Sequence, residues 1–222
     1  VVTGVEERPQ GAIGDDTLIF WRERSAWRAI VGLPVELTEG ALAVSVTAGA
    51  EKIDASLDVL TANFRRREIS VSKRFTSPTK KEKERSKADQ LAFDEAFAQE
   101  PIDWLFTDSF VWPRNSEITA PFGDLRLVNK KKKSQHFGVD LDGKTGDPVS
   151  SSNAGVVVMV RDCFSTGNTL IVHHGGQLFT AYFHLSKIEV SLGQDVKRGQ
   201  RLGRVGKTGK VTGPHLHWGV KI

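Results

Sequence analysis

All six histidines of the 222-residue chain fall between positions 136 and 217, inside a glycine-dense half built of short β-rich runs. That placement ties the chemistry to a sheet. Strands are predicted at Val156–Val160, Thr169–His173, Leu178–Phe183, Ile188–Val190, Arg201–Val205 and Leu216–Val220. The last belongs to Thr212-Gly213-Pro214-His215-Leu216-His217-Trp218, where two histidines stand one residue apart. Side chains alternate along a strand, so His215 and His217 share a face, roughly 6–7 Å from each other. Both can then address one metal ion, or one can bind it while the other works on the water it activates.

A second cluster lies about eighty residues upstream, in His136-Phe137-Gly138-Val139-Asp140. On a helix, His136 and Asp140 would be neighbours, but Gly138, Gly143 and Gly146 argue against one. On a flat strand they would stand about 13 Å apart, too far to share an ion with bonds of about 2.0–2.2 Å. If they share a metal the chain bends between them, and Gly138 is the residue that allows it. Two imidazoles and one carboxylate leave the fourth position of a tetrahedral Zn²⁺ to water, the pattern of a catalytic site. Taken alone, Asp140 also reads as a turn residue and His136 as a surface imidazole.

The remainder of the chain has no comparable constellation. Residues 1–75 contain no histidine or cysteine and break into β-rich runs, Thr17–Trp21, Ala26–Leu33 and Ala41–Val46, at roughly ten-residue intervals. Lys52–Leu60 and Arg67–Val71 are expected to add two more strands, giving an Ig-like β-sandwich in which Trp21 and Trp27 belong to the core. Residues 76–107 form a helical linker. Its helix starts at Thr79, with Glu82 three residues on in a capping-box pattern, and runs to about Gln99, its charged first half solvated and its second half packed. Residues 108–222 form the third unit.

Composition excludes several classes. With 39% hydrophobic and 26% charged residues the chain is ordinary for a globular protein, and no apolar run approaches the roughly 18 residues of a membrane span. The net charge of +4 is mild and suits a polyanionic surface such as a cell wall. Acidic residues interleave with the lysines and no aromatic platform accompanies them, which argues against nucleic acid. The single Cys163 forbids an internal disulfide and reads as a small buried hydrophobe. The chain opens at Val1 without a signal-like segment, so a processed or trimmed form is expected.

Read together, the motifs resemble the LytM/lysostaphin-type family of zinc metalloendopeptidases, which hydrolyse peptide bonds in bacterial peptidoglycan. The resemblance covers about residues 108–222. It rests on His136-x-x-x-Asp140, Gly146-Asp147-Pro148-Val149 followed by Ala154-Gly155, Gly167-Asn168-Thr169 and His174-Gly175-Gly176. It continues through Thr180-Ala181-Tyr182-Phe183-His184-Leu185, Val190-x-x-Gly193-Gln194-x-Val196-x-x-Gly199, Gly206-x-Thr208-Gly209 and Thr212-Gly213-Pro214-His215-Leu216-His217. A β domain, a charged helix and then the peptidase also resemble the multidomain Gram-negative members.

The resemblance implies a mainly β fold with an antiparallel lysostaphin-type peptidase sheet. It implies one Zn²⁺ per chain held by His136, Asp140 and His217, with His184 and His215 as the two catalytic histidines; spacing does not say which of them is the base. It further implies a peptidoglycan peptide substrate, export to the periplasm or cell envelope, and an N-terminal unit that blocks the groove until displaced. A monomer is expected from the absence of a long apolar stripe. His173 and His174 read as structural, and Tyr182 shares a strand face with His184, within reach of either groove or core. The run Lys130–Lys133 reads as a solvated loop, or as electrostatic help in holding an anionic glycopeptide. Phe137 and Asp147 depart from the residues usual in the family, and members generally continue for some tens of residues beyond the His-x-His strand. The alternative is a non-catalytic member that binds the wall or activates a partner amidase; such members lose ligands or catalytic histidines, and here all five positions are filled.

Overall fold

The computed structural model describes residues 1–100, 102–130 and 132–222. Its centre is a seven-stranded antiparallel sheet ordered Asp195–Val196, Gly155–Cys163, Gly167–His173, Phe179–Leu185, His215–Lys221, Val139–Asp142 and Ile118–Ala120. A three-stranded sheet of Pro148–Ser150, Arg201–Arg204 and Lys187–Ile188 accompanies it. Leu141, Val157, Leu170, Tyr182 and Leu216 of the large sheet form one buried cluster with Val149 and Leu202 of the small one. Leu216 is fully buried there, so alternation turns its neighbours His215 and His217 to the opposite face.

That opposite face is divided between a helix and a groove. The helix Lys80–Phe97 begins at Thr79, whose hydroxyl accepts the Glu82 amide while the Glu82 carboxylate accepts the Thr79 amide at 2.9 Å, completing the expected capping box. Ala92, Phe93, Ala96 and Phe97 cover Met159, Ile171, Phe179 and Ala181 of the sheet. Phe97 meets Phe179 edge-on at 5.3 Å and Phe93 meets Phe183 at 5.8 Å. At the middle of the helix Asp89 is buried, accepting from Arg161 Nε at 2.8 Å and the Phe164 amide at 2.7 Å. A buried carboxylate needs such partners to offset its desolvation.

The N-terminal residues form two small antiparallel sheets, one of Val2–Thr3, Ala26–Ala29 and Phe20–Glu23, the other of Asp16–Thr17, Gln10–Ile13, Gly40–Ala48 and Glu51–Val59. The single run expected at Thr17–Trp21 is divided between them, Asp16–Thr17 in one and Phe20–Glu23 in the other. Trp21 packs against Trp104 at 4.4 Å and the Trp27 indole donates to Val5 O at 3.2 Å, both structural roles. The strand Arg66–Ile69 joins neither sheet. It pairs in parallel with Leu125–Val128, whose other neighbour is Lys132–Gln135. Arg65 anchors the junction with two hydrogen bonds, 2.9 and 2.8 Å, to the buried Asp124. This small side sheet leans over the groove. Of the lysine run, Lys130 and Lys133 are exposed, and Lys131 lies outside the described residues. Among the described residues no helix is long and apolar enough to cross a membrane.

Candidate metal centre

His136, Asp140 and His217 reach one point from three directions. The antiparallel register sets Asp140 opposite His217 and Asp142 opposite His215, so the cross-strand pairing brings a carboxylate to each histidine. His136 lies before the strand Val139–Asp142, and the chain bends between them. Its Nε2 is then 2.9 Å from Asp140 Oδ1, which is also 2.9 Å from His217 Nδ1; the two ring nitrogens are themselves 2.9 Å apart. Gly138 permits this by giving space and not by a left-handed φ. A Cβ on it would fall 2.6 Å from His217 Nε2 and 2.7 Å from Trp218 O.

The protons of this cluster are partly fixed. Pro121 O can only accept, so the contact of 2.8 Å assigns the His136 proton to Nδ1 and leaves Nε2 a bare lone pair aimed at the centre. Burial pushes His217 down, towards the neutral form that can ligate. Phe183 stacks on the His217 ring at 5.0 Å with planes 5° apart, fixing its orientation. Lone pairs of two nitrogens and an oxygen, aimed at each other with ligand atoms within 4.8 Å, are a donor set that suits a divalent cation.

His184 and His215 sit beside this triad, 5.0 Å apart between ring centroids. A bulge brings His184 there: between the pairs Leu170↔Tyr182 and Asn168↔Leu185, one residue faces two. His184 adopts φ +63°, a costly conformation for a side chain with a Cβ. Its Nδ1–H donates to Thr208 O at 2.9 Å, leaving Nε2 free. Burial, with repulsion from His215 and His217, pushes its imidazole down to about 3. His215 donates Nδ1–H to Gly213 O at 2.9 Å, and its Nε2 stands 3.6 Å from Asp140 Oδ1. A cavity of about 300 Å³ opens onto these groups, walled by Arg67, Ile69 and Val71 on one side and by Thr212 and Pro214 on the other.

Residues 134–222 match the model of Peptidase family M23. The likeness to that family lies in these residues. The chain is 42% identical over 125 residues to "Peptidoglycan DD-endopeptidase ShyA" of Vibrio cholerae, covering 55% of this chain and 26% of that protein. It is 37% identical over 134 residues to ShyB, a protein of the same description from the same organism, covering 59% and 29%. The chain thus spans about a quarter of the length of these relatives. A crystal structure described as a peptidase M23 from Pseudomonas aeruginosa superposes with a TM-score of 0.72 at 26% identity, over 98% of this chain and 84% of that one. The likeness therefore extends beyond the M23 segment into the N-terminal sheets and helix, and the mainly β, lysostaphin-type fold stands.

Around the M23 site the remaining candidates separate. Tyr182 turns into the core, its hydroxyl accepting from the Ser152 amide at 3.0 Å. His174 is fully buried, donating Nδ1–H to Ala154 O at 2.6 Å and accepting the Thr180 hydroxyl on Nε2 at 2.7 Å, a closed structural network. His173 is buried with its ring stacked on Phe179 at 4.4 Å, and Cys163 is buried beside Met159. Phe137 is exposed. Sequence reasoning missed Thr208, whose carbonyl orients His184, and Arg126, whose Nη2 lies 2.9 Å from Asp140 Oδ2. The one available signal for Arg126 was a cation set between Leu125 and Leu127 in an otherwise apolar strand.

Proposed function

We propose that the chain is a zinc endopeptidase that hydrolyses peptide bonds of bacterial peptidoglycan, D,D cross-links among them, in the cell envelope. The observation that carries this reading is the meeting of His136 Nε2, Asp140 Oδ1 and His217 Nδ1 within one M23 segment, with two further imidazoles at the mouth of the same cavity. The names of the Vibrio cholerae relatives support the substrate. The net charge of +4 suits an anionic wall.

His136, Asp140 and His217 are the proposed ligands of one zinc per chain. Zinc held there would polarise the scissile carbonyl and lower the pKa of its water towards 7. His184 is neutral at working pH, and with Nδ1–H committed to Thr208 its Nε2 is a proton acceptor. It is the proposed general base, taking the proton of the attacking water and later passing one to the leaving amine. His215, beside the Asp140 carboxylate, is the proposed stabiliser of the oxyanion of the tetrahedral intermediate. Phe183 and Gly138 respectively support and make room for the His217 ring.

Digestion of purified peptidoglycan with metal intact, with chelator and with zinc restored tests the reading, the released fragments being identified by mass. Loss of D,D-linked dimers that chelator abolishes and zinc restores is the expected result. Absence of both digestion and bound zinc would replace the enzyme by a wall-binding or amidase-activating protein.

A further inference from the structure

Resting on the metal centre proposed above, we propose that Arg126 is a positioning residue that restricts Asp140 to a single coordinating oxygen. The two carboxylate oxygens of Asp140 have different neighbours. Oδ1 faces both histidines at 2.9 Å, whereas Oδ2 accepts from Arg126 Nη2 at 2.9 Å. A carboxylate can bind an ion through one oxygen or two, and a guanidinium on Oδ2 occupies one of its lone pairs and repels a second cation there. The protein then supplies three donor atoms and leaves room for water and substrate.

Arg126 is built into place for this task. It occupies the middle strand of the side sheet, with Arg67 of the N-terminal segment as its parallel neighbour and Ser134 as its antiparallel one. Its side chain is 19% exposed, and its Nε is buried without a partner. Among the described residues Asp140 is its only ion-pair partner. Arg126 lies upstream of the matched segment 134–222, and the strand that holds it is paired to Arg66–Ile69. The orientation of a metal ligand thus depends on residues outside that segment.

The test is made on the full chain loaded with Co²⁺, whose visible absorption weakens as coordination number rises. Arg126→Gln is expected to bind Co²⁺ about 10–100-fold more weakly, the usual effect of losing a partner that orients a ligand. Once saturated it is expected to show a weaker visible band as Oδ2 enters the coordination sphere. An unchanged band in the saturated variant, at any affinity, overturns the proposal for Arg126 while leaving the metal centre intact. Failure of the unmodified chain to give a cobalt band at all overturns the metal centre and this proposal with it. If Arg126→Gln does not fold, Arg126→Met removes the cation while keeping an unbranched side chain and is judged by the same band.

Discussion

His184 shares a sheet face with His217, 6.2 Å away between ring centroids, although strict alternation along its strand would turn it to the other side. Phe183 is the register partner of His217 and stacks on its ring, so the next residue of a regular strand would point into the core. The bulge and the φ of +63° at His184 redirect it. If His184 only moves protons, His184→Gln lowers activity by roughly 10²–10⁴-fold and leaves one zinc per chain, measured by metal analysis. Loss of the metal in that variant would contradict this placement.

Gly138 gives a second prediction. A Cβ there would approach His217 Nε2 to 2.6 Å and backbone oxygen of Trp218 to 2.7 Å, and neither atom can retreat without moving the His217 ring or its strand. Gly138→Ala is expected to bind zinc at least tenfold more weakly, by analogy with disturbed ligand shells. Metal titration against a chelator reads this directly. Zinc affinity equal to that of the unmodified chain would show that the ring has slack.

Leu216 separates stability from chemistry within three residues. It is fully buried in the core between His215 and His217, which face the groove. Leu216→Ala should cost about 2–5 kcal/mol through lost burial and a cavity. Denaturant unfolding of the two variants side by side checks this, with His215→Gln expected to lose much less stability and most of the activity. Equal stability losses would mean that the alternation is misread.

Acid should destabilise the fold through His174. Burial pushes its imidazole down to about 4 in the folded chain, from an ordinary value near 6.5. The folded pKa is the lower one, so the unfolded chain takes up the proton first. The contribution is fully present above about pH 6.5 and is lost as pH falls towards 4, roughly 2 kcal/mol of it by pH 5. His174→Gln removes this titration, so its stability should fall less between pH 7 and pH 5 than that of the unmodified chain. Parallel slopes in thermal or denaturant melts would refute it.

Much of the site was legible because its parts are local. His215-Leu216-His217 on a strand determines two imidazoles on one face and a leucine on the other, whatever the strand pairs with. Thr79 and Glu82 determine the start of the helix Lys80–Phe97 by bonding to each other's backbone. The ordered motifs from His136 to His217 pointed to the family for the same reason, since each is a turn or strand of a few residues.

Tertiary structure decided what depends on partners far along the chain. The sequence placed Tyr182 and His184 on one face; the bulge, held where the His184 amide donates to Thr166 O at 2.9 Å, sends Tyr182 to the core and His184 to the groove. Arg66–Ile69, which composition assigns to the N-terminal β unit, pairs with Leu125–Val128 and so supports Arg126 against Asp140. The physical reason is the same in each case. Alternation and capping are set by neighbours within four residues, whereas strand register, bulges and ion pairs are settled by which distant segment offers the complementary edge or charge.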